Sequence, residues 1–398
     1  MSINYEEKTG VFKLDTPNTS YILGLVDRER FVGHIYYGKR LGEDDVTYLM
    51  RTGENPFVPS ENGRDRNSFL DSFPMEYPGS GVGDYREGAI GVRTTGGHEG
   101  VLPVYQSHKI YAGKPKLSGL PATWGKDTEC DTLELTLTDE VLGLEVTLLY
   151  SVFCDLDVIT RSVQVKNNGT DNIYLTKVMS ASFDMDNDRE YEMLTMHGSW
   201  ARERRIQRKR IGYGKQSCGS IRGESSHQEH PFLALLEKGA DQKRGEVYAM
   251  NFVYSGNFLA QIEQSQFDSM RVMMGIHPQN FCWELKPGET FQAPEVVMIY
   301  SGQGLGRMTR TFHDLYRNHL IRGEYKDKKR PILINNWEAT YFDFNTDKLL
   351  DIAKEASKLG IEMLVMDDGW FGYRNDDNTS LGDWEVNETK IQGGLKHL

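Results

Sequence analysis

Long apolar runs are missing from this 398-residue chain: none approaches the ~18 residues needed to span a bilayer, so no segment reads as a membrane helix. The N-terminus, MSINYEEKTGVFKLD, has no basic segment followed by an apolar one, so no secretion signal is read there. Cysteine is scarce. Cys130, Cys154, Cys218 and Cys282 are scattered without a C-x-x-C pair, which argues against a disulfide framework and fits buried thiols in a reducing cytoplasm. Positive charge is also short, with 46 Lys and Arg against 58 Asp and Glu. A net charge of -12 argues against nucleic acid and against an anionic membrane as partners. Short-period repeats and low-complexity linkers are absent, and no convincing amphipathic helix precedes Met308.

What the chain has in plenty is material for cores: 38% hydrophobic residues and 20 Tyr, over a length that calls for two or more domains. Up to about Gly304 the signal has period two. Leu133, Leu135 and Leu137 alternate with polar residues, as do Leu144, Val146, Leu148, Tyr150 and Val152. Asn167-Asn168-Gly169 predicts a hairpin between flanking strands, and further strands are expected at 247–254, 258–262, 270–274 and 296–300. Many short strands at this spacing predict a large antiparallel sandwich.

Several patches invite misreading. Residues 201–210, ARERRIQRKR, form the most basic stretch; in an acidic chain without a second basic cluster, a paired surface strand or loop is the better reading. His227 and His230 have a spacing that could serve a metal but lack a partner at ligand spacing, so no metal site is assigned. Trp200 sits between small and charged residues, where stacking against a ligand competes evenly with packing. Residues 55–84 read as a long irregular loop, functional or mobile. A helix over 306–320, with Met308, Phe312, Leu315 and His319 on one side, and the charged connector 324–330 lead out of the sandwich. The expected domains are therefore 1–305, a helical linker over 306–330, and 331–398.

Residues 331–370 then read as strand, loop, helix, strand. Ile332-Leu333-Ile334 delivers Asn335, Asn336 and Trp337, while Met363-Leu364-Val365-Met366 delivers Asp367, Asp368 and Trp370. Two parallel strands joined by one helix bring both sets to the sheet edge where α/β folds place their ligands. Asn345 or Thr346 caps the helix, Leu349, Ile352, Ala353, Ala356 and Leu359 form its apolar face, and Gly360 ends it. A closed (β/α)8 barrel needs about 250 residues, so this is expected to be the opening of an incomplete one. Asp367 and Asp368, as neighbours, are poorly placed to straddle a scissile bond with the ~5–5.5 Å separation of a retaining pair. Hydrogen bonding to sugar hydroxyls suits them better, with Trp337 offering a flat apolar face to a pyranose ring. A satisfied D-D-G turn is the bland alternative.

The segments NNWEATYFDF (335–344), LVMDDGWFG (364–372) and LGDWEVN (381–387) resemble the start of the catalytic barrel in the α-galactosidases of glycoside hydrolase family 36. HKIYAGKPKLSGLPATW (108–124), HGSWARER (197–204), FVYSGNFLAQIE (252–263) and PGETFQAPEVVMIYS (287–301) resemble that family's N-terminal β-supersandwich. The resemblance implies a multidomain β plus α/β fold, with a large antiparallel β-supersandwich followed by the first βαβ unit of an incomplete (β/α)8 barrel. It also implies hydrolysis of terminal α-galactosyl residues, as in melibiose and raffinose, by a two-step retaining mechanism with no metal or cofactor. The family's nucleophile lies in a K-W-D motif and its acid/base follows S-G-G-G-G. Neither motif occurs here, so both catalytic carboxylates are expected beyond Leu398 and the 398 residues alone are expected to be inactive. By resemblance Trp337, Asp367 and Asp368 bind the galactose unit, Trp200 contributes from the sandwich, and a family position that is usually Asp falls at Glu54. A homotetramer is implied for the full-length protein. The alternatives are a non-catalytic sugar-binding fragment and a galactosyltransferase of the raffinose-synthase kind.

Overall fold

The period-two alternation places Leu133, Leu135, Leu137, Leu144, Val146, Leu148, Tyr150 and Val152 in the core, all buried, with partly buried residues between them over 134–138 and 145–147. The structure, a computed structural model, describes residues 2–27, 30–50, 70–186 and 188–398. Its two compact units are Met1–Ile321 and Arg322–Leu398.

Unit 1 is built from three antiparallel sheets. β1 (Ile3–Glu6), β2 (Val11–Asp15), β3 (Thr19–Val26) and β4 (Phe31–Lys39) form a four-stranded meander. A six-stranded sheet runs β13 (Gly214–Ser220), β16 (Phe258–Gln264), β17 (Ser269–Ile276), β10 (Ile173–Asp186), β18 (Trp283–Leu285), with β5 (Ile90–Thr94) also paired to β10. The ten-stranded sheet runs β12 (Arg205–Arg210), β11 (Tyr191–His197), β14 (Phe232–Glu237), β15 (Val247–Val253), β20 (Glu295–Ser301), β9 (Ile159–Asn167), β8 (Leu144–Phe153), β7 (Cys130–Asp139), β6 (Val104–Ala112), with β19 (Thr290–Gln292) on β9. One core joins all three, drawing Phe12 and Leu23 from the first sheet, Val178 and Phe258 from the second, and Leu135 and Val163 from the third.

The ten-stranded sheet is covered on its other face too. Helix α1 (Gly304–Leu315) lays Met308, Phe312 and Leu315 against Ala234, Leu236, Val297 and Ile299. β20, between the two cores, is accordingly buried at every position. Burying three side chains of this size contributes on the order of 5 kcal/mol. The chain continues as a π-helical turn, Tyr316–Leu320, whose His319 ring packs on Phe153 and donates from Nδ1 to the Trp124 carbonyl at 3.0 Å. The helix expected to link the domains is thus packed into unit 1, and the boundary falls after Ile321.

Two further expectations need correction. Asn167-Asn168-Gly169 does not close a hairpin: β9 pairs with β8 and β20, whereas β10 lies in the other large sheet. The turn is a corner between sheets. Asn167, fully buried, donates from Nδ2 to the carbonyls of Asp171 (2.8 Å) and Leu285 (2.9 Å) and accepts from Gly169 N–H (2.9 Å). Residues 70–84, read as part of a long irregular loop, functional or mobile, are largely packed inside over 70–78, with Leu70, Phe73, Met75 and Tyr77 buried, and reach the surface at Gly81 and Val82; residues 55–69 lie outside the described residues.

That inner segment carries charges into the core. Glu76, with no exposure at all, accepts from the hydroxyls of Tyr21 (2.7 Å) and Tyr150 (2.6 Å), faces His34 Nδ1 at 2.9 Å and pairs with Arg161 at 2.8 Å. Nearby in sequence, Asp84 and Arg86 join Asp184 and Arg271: Arg271 bonds Asp184 (2.7 Å) and Asp84 (2.7 Å), and Arg86 bonds Asp84 (3.0 Å) and Asp184 (3.1 Å). Burial pushes the Asp184 carboxyl up, but Arg271 and Arg86 together outweigh it and hold Asp184 below the usual carboxylate range.

Unit 2 pairs β21 (Leu333–Asn335) in parallel with β22 (Met363–Val365), through α2 (Trp337–Thr340) and α3 (Thr346–Lys358). Asn345 caps α3 by accepting from Lys348 N–H at 3.0 Å, and Gly360, at φ 81°, follows its end. Phe344, Leu349 and Ile391 form its small core. The predicted apolar face is only partly used, since Leu349 and Ala356 are buried while Leu359 is exposed.

Candidate sugar-binding site

The C-terminal ends of β21 and β22 are tied by the two asparagines that the sequence places there. Asn335 Nδ2 donates to Asp367 Oδ2 at 2.5 Å, and its Oδ1 accepts the Trp337 N–H at 2.8 Å. Asn336, fully buried, accepts the Asp367 N–H at 2.8 Å and donates to Thr340 Oγ1 at 2.9 Å. Trp337 and Asp367 therefore belong to one hydrogen-bonded assembly spanning both strand ends. The Trp337 ring stands edge-on to Tyr341 (5.3 Å, 87°) and Phe342 (4.9 Å, 90°), which leaves it half-buried and fixed.

Asp367 Oδ1 accepts the Asp368 N–H at 2.7 Å, so each of its oxygens is anchored once and keeps lone pairs for further donors. Asp368 is held differently. Its Oδ1 accepts from Arg374 Nε at 2.6 Å and from Gly369 N–H at 2.7 Å. The bond from Arg374, itself buried, holds the Asp368 carboxyl below the usual range, so it is an ionised acceptor at neutral pH. Half of Asp368 thus serves the D-D-G turn, and Oδ2 is left for a ligand.

Arg374 and Lys390 had no signal in sequence spacing. Arg374 also donates to the Thr379 carbonyl at 2.7 Å, and Lys390 Nζ ties the carbonyls of Phe342 (2.8 Å) and Gly369 (3.1 Å), so the two loops of the site are stapled together. Tyr341 was missed too. It adopts φ 47°, ψ -128°, a conformation costing roughly 1–3 kcal/mol for a non-glycine residue, right beside Trp337. Such strain is invisible to pattern analysis.

Trp200 lies in unit 1, 83% exposed, in the loop between β11 and β12. Ala201 and Arg204 both take positive φ (56° and 55°), and Ser199 and Arg202 exchange backbone hydrogen bonds at 3.3 and 2.9 Å, so a tight turn presents the indole to solvent. Glu54 lies outside the described residues. The 201–210 basic stretch is a paired surface strand, with Arg210 bridged to Glu190 at 3.0 Å and Arg208 to Glu192. His230 accepts from Arg204 at 3.1 Å, and among the described residues no cluster of His, Cys, Asp or Glu is arranged for a metal ion. Among the described residues no helix is long and apolar enough to cross a membrane.

Comparison with known proteins agrees with this architecture. Residues 30–286 match the glycosyl hydrolase family 36 N-terminal domain, and residues 290–398 match Melibiase. The chain is 47% identical to alpha-galactosidase AgaA of Geobacillus stearothermophilus over all of its own length and 54% of that protein's. It superposes on the GH36 alpha-galactosidase AgaB of the same organism with a TM-score of 0.93 at 47% identity, covering 99% of this chain and 54% of the other. A variant of AgaA solved with raffinose gives a TM-score of 0.92 at 47% identity, with 97% and 54% covered. The chain spans about half the length of these relatives. With a sandwich, a barrel opening and a family match running through both, the chain belongs to glycoside hydrolase family 36.

Proposed function

We propose that this chain is the substrate-gripping portion of a retaining α-galactosidase acting on melibiose- and raffinose-type oligosaccharides. One observation carries the reading: Asp367, locked between Asn335 and the Asp368 N–H, sits with Trp337 at the C-terminal ends of two parallel strands. A galactose ring stacks its C–H face on the Trp337 indole while Asp367 and Asp368 Oδ2 accept its hydroxyls. Arg374 keeps Asp368 ionised, so Asp368 is not placed to act as an acid, and Asp367 already accepts one hydrogen bond on each oxygen. The nucleophile and acid/base come from the part of the family protein that these residues do not cover. Trp200 and Glu54 contribute to the same substrate, the protein is cytoplasmic, and it works as a tetramer. A relative's complex with raffinose supports the substrate class.

The test is Asp367→Ala in the full-length protein. Losing a charged partner for a sequestered hydroxyl costs about 3 kcal/mol, or two orders of magnitude in kcat/KM. An unchanged kcat/KM would remove Asp367 from the site.

A further inference from the structure

Unit 1 has a concave site of its own. The edge strand β18, the loops after β15 and β17, and β19 enclose a groove of about 610 Å³, inside the ~300–1,000 Å³ range of small-ligand sites. Its lining contains no Asp, Glu, Lys or Arg, in a chain where 26% of residues are charged. An uncharged lining selects an uncharged ligand, because a charged one would lose its hydration without gaining a counter-charge.

The apolar part of the groove is a buttressed aromatic shelf. Trp283, on β18, leans on Phe291 (5.2 Å, 58°), and Phe281 supports Phe291 from another side (5.7 Å, 62°). Trp283 nevertheless keeps 50% of its surface in solvent, so a flat ring is held in position without being covered. Its polar part is unspent. The side-chain amides of Gln279 and Asn280 have no partner among the described residues. Asn257 Oδ1 accepts the Gly223 N–H at 2.6 Å, leaving its NH2 group to donate. His277 Nδ1 faces the Gln279 N–H at 3.1 Å and accepts from it, so the neutral ring carries its proton on Nε2 and presents a donor. Burial, reinforced by Lys177, lowers the His277 pKa and keeps that ring neutral. Asn280 stands at φ 65°, in the turn that projects these amides.

A rigid indole face ringed by neutral amide and imidazole donors is chemistry for a polyhydroxylated ring: C–H groups on the indole, hydroxyls to the amides. We propose that this groove is an accessory binding site for a neutral oligosaccharide, with one sugar ring on Trp283 and its hydroxyls met by Asn257, His277, Gln279 and Asn280. The ligand class follows from the lining alone; only the choice of an α-galactoside as first probe rests on the proposed activity.

The experiment removes the other candidate site first. The chain carrying Trp337→Ala and Asp367→Ala is titrated with stachyose and, separately, with maltotetraose, and binding is followed by heteronuclear NMR. Saturable binding of either sugar is expected to persist, to weaken about tenfold on adding Trp283→Ala, and to survive within about threefold on adding Trp283→Phe, which keeps a ring against Phe291. Asn280→Ala, at an exposed turn, gives a second reading that does not depend on the aromatic shelf and is expected to weaken binding severalfold. Absence of saturable binding of both sugars overturns the proposal. So does binding that neither Trp283→Ala nor Asn280→Ala changes, or a Trp283→Ala variant that alters only the sedimentation of the chain, which would make the shelf a contact between copies. Failure of the full-length protein to hydrolyse α-galactosides would refute the proposed activity and leave this titration unaffected.

Discussion

Substituting Glu76 with glutamine removes one charge and changes almost no volume. Glu76 is fully buried and is the only carboxylate that the described residues place on Arg161, itself 1% exposed. In the variant, Arg161 keeps the Ser182 carbonyl at 2.6 Å and the hydroxyls of Tyr21 and Tyr150 at 3.0 and 3.1 Å, but no negative partner. Glutamine also brings an NH2 group to where Tyr21 and His34 now meet an acceptor. Breaking a buried pair on one side costs about 3–5 kcal/mol. For a unit of this size each kcal/mol lowers Tm by about 2 °C, so calorimetry of the chain should show the unit 1 transition falling by about 6–10 °C. Adding Arg161→Met removes the stranded cation and should recover at least about half of the loss. A fall below about 2 °C, or a double variant weaker than the sum of the two singles, would refute the view that this pair is charge-coupled in the core.

Asn167→Ala leaves the Leu285 carbonyl buried without its donor, and chemical denaturation should register a loss of about 2–3 kcal/mol. Asp368 has a lowered folded-state pKa, so the bond from Arg374 is present above the ordinary aspartate range and lost only as pH falls through that lower value; the protection factors of the 368–374 amides, intrinsic exchange rates divided by the observed ones, should be flat from neutral pH to about 5 and fall in stronger acid. The 398-residue chain should release no nitrophenol from the nitrophenyl α-galactoside, and turnover above background would contradict the assignment of the catalytic pair to the uncovered part of the family protein. In that full-length protein Trp200→Ala should raise KM severalfold for raffinose; unchanged kinetics would make the exposed indole irrelevant to substrate.

Where physics acts over a few residues, the structure could be read in advance. Period two alone places Leu133 to Val152 in the core, and the Asn345 cap and Gly360 bracket a helix that folds as written. Pairing partners are another matter. An Asn-Gly turn supplies the same local signal whether the next strand folds back or passes to a different sheet, and only Asn167's bonds to a distant carbonyl decide it. The polar core was equally hidden, since Glu76 and Asp84 look like loop residues until Arg161 and Arg271, far along the chain, arrive to neutralise them. In the candidate site the aromatic and acidic residues were visible as types, while Arg374, Lys390 and the strained Tyr341 act through geometry that no spacing encodes.

The basic strand β12 carries a consequence for how this protein behaves in concentrated solution. It is the last strand of the ten-stranded sheet, exposed at every position, with Arg205, Arg208, Lys209 and Arg210 along six residues. A free strand edge invites a second molecule to continue the ladder. Here a second copy arriving antiparallel would set cations against cations, and like charges directly opposite repel. The stretch that imitates a nucleic-acid contact in sequence instead ends a very wide sheet with a row of cations, a charge pattern that disfavours its extension by a second copy.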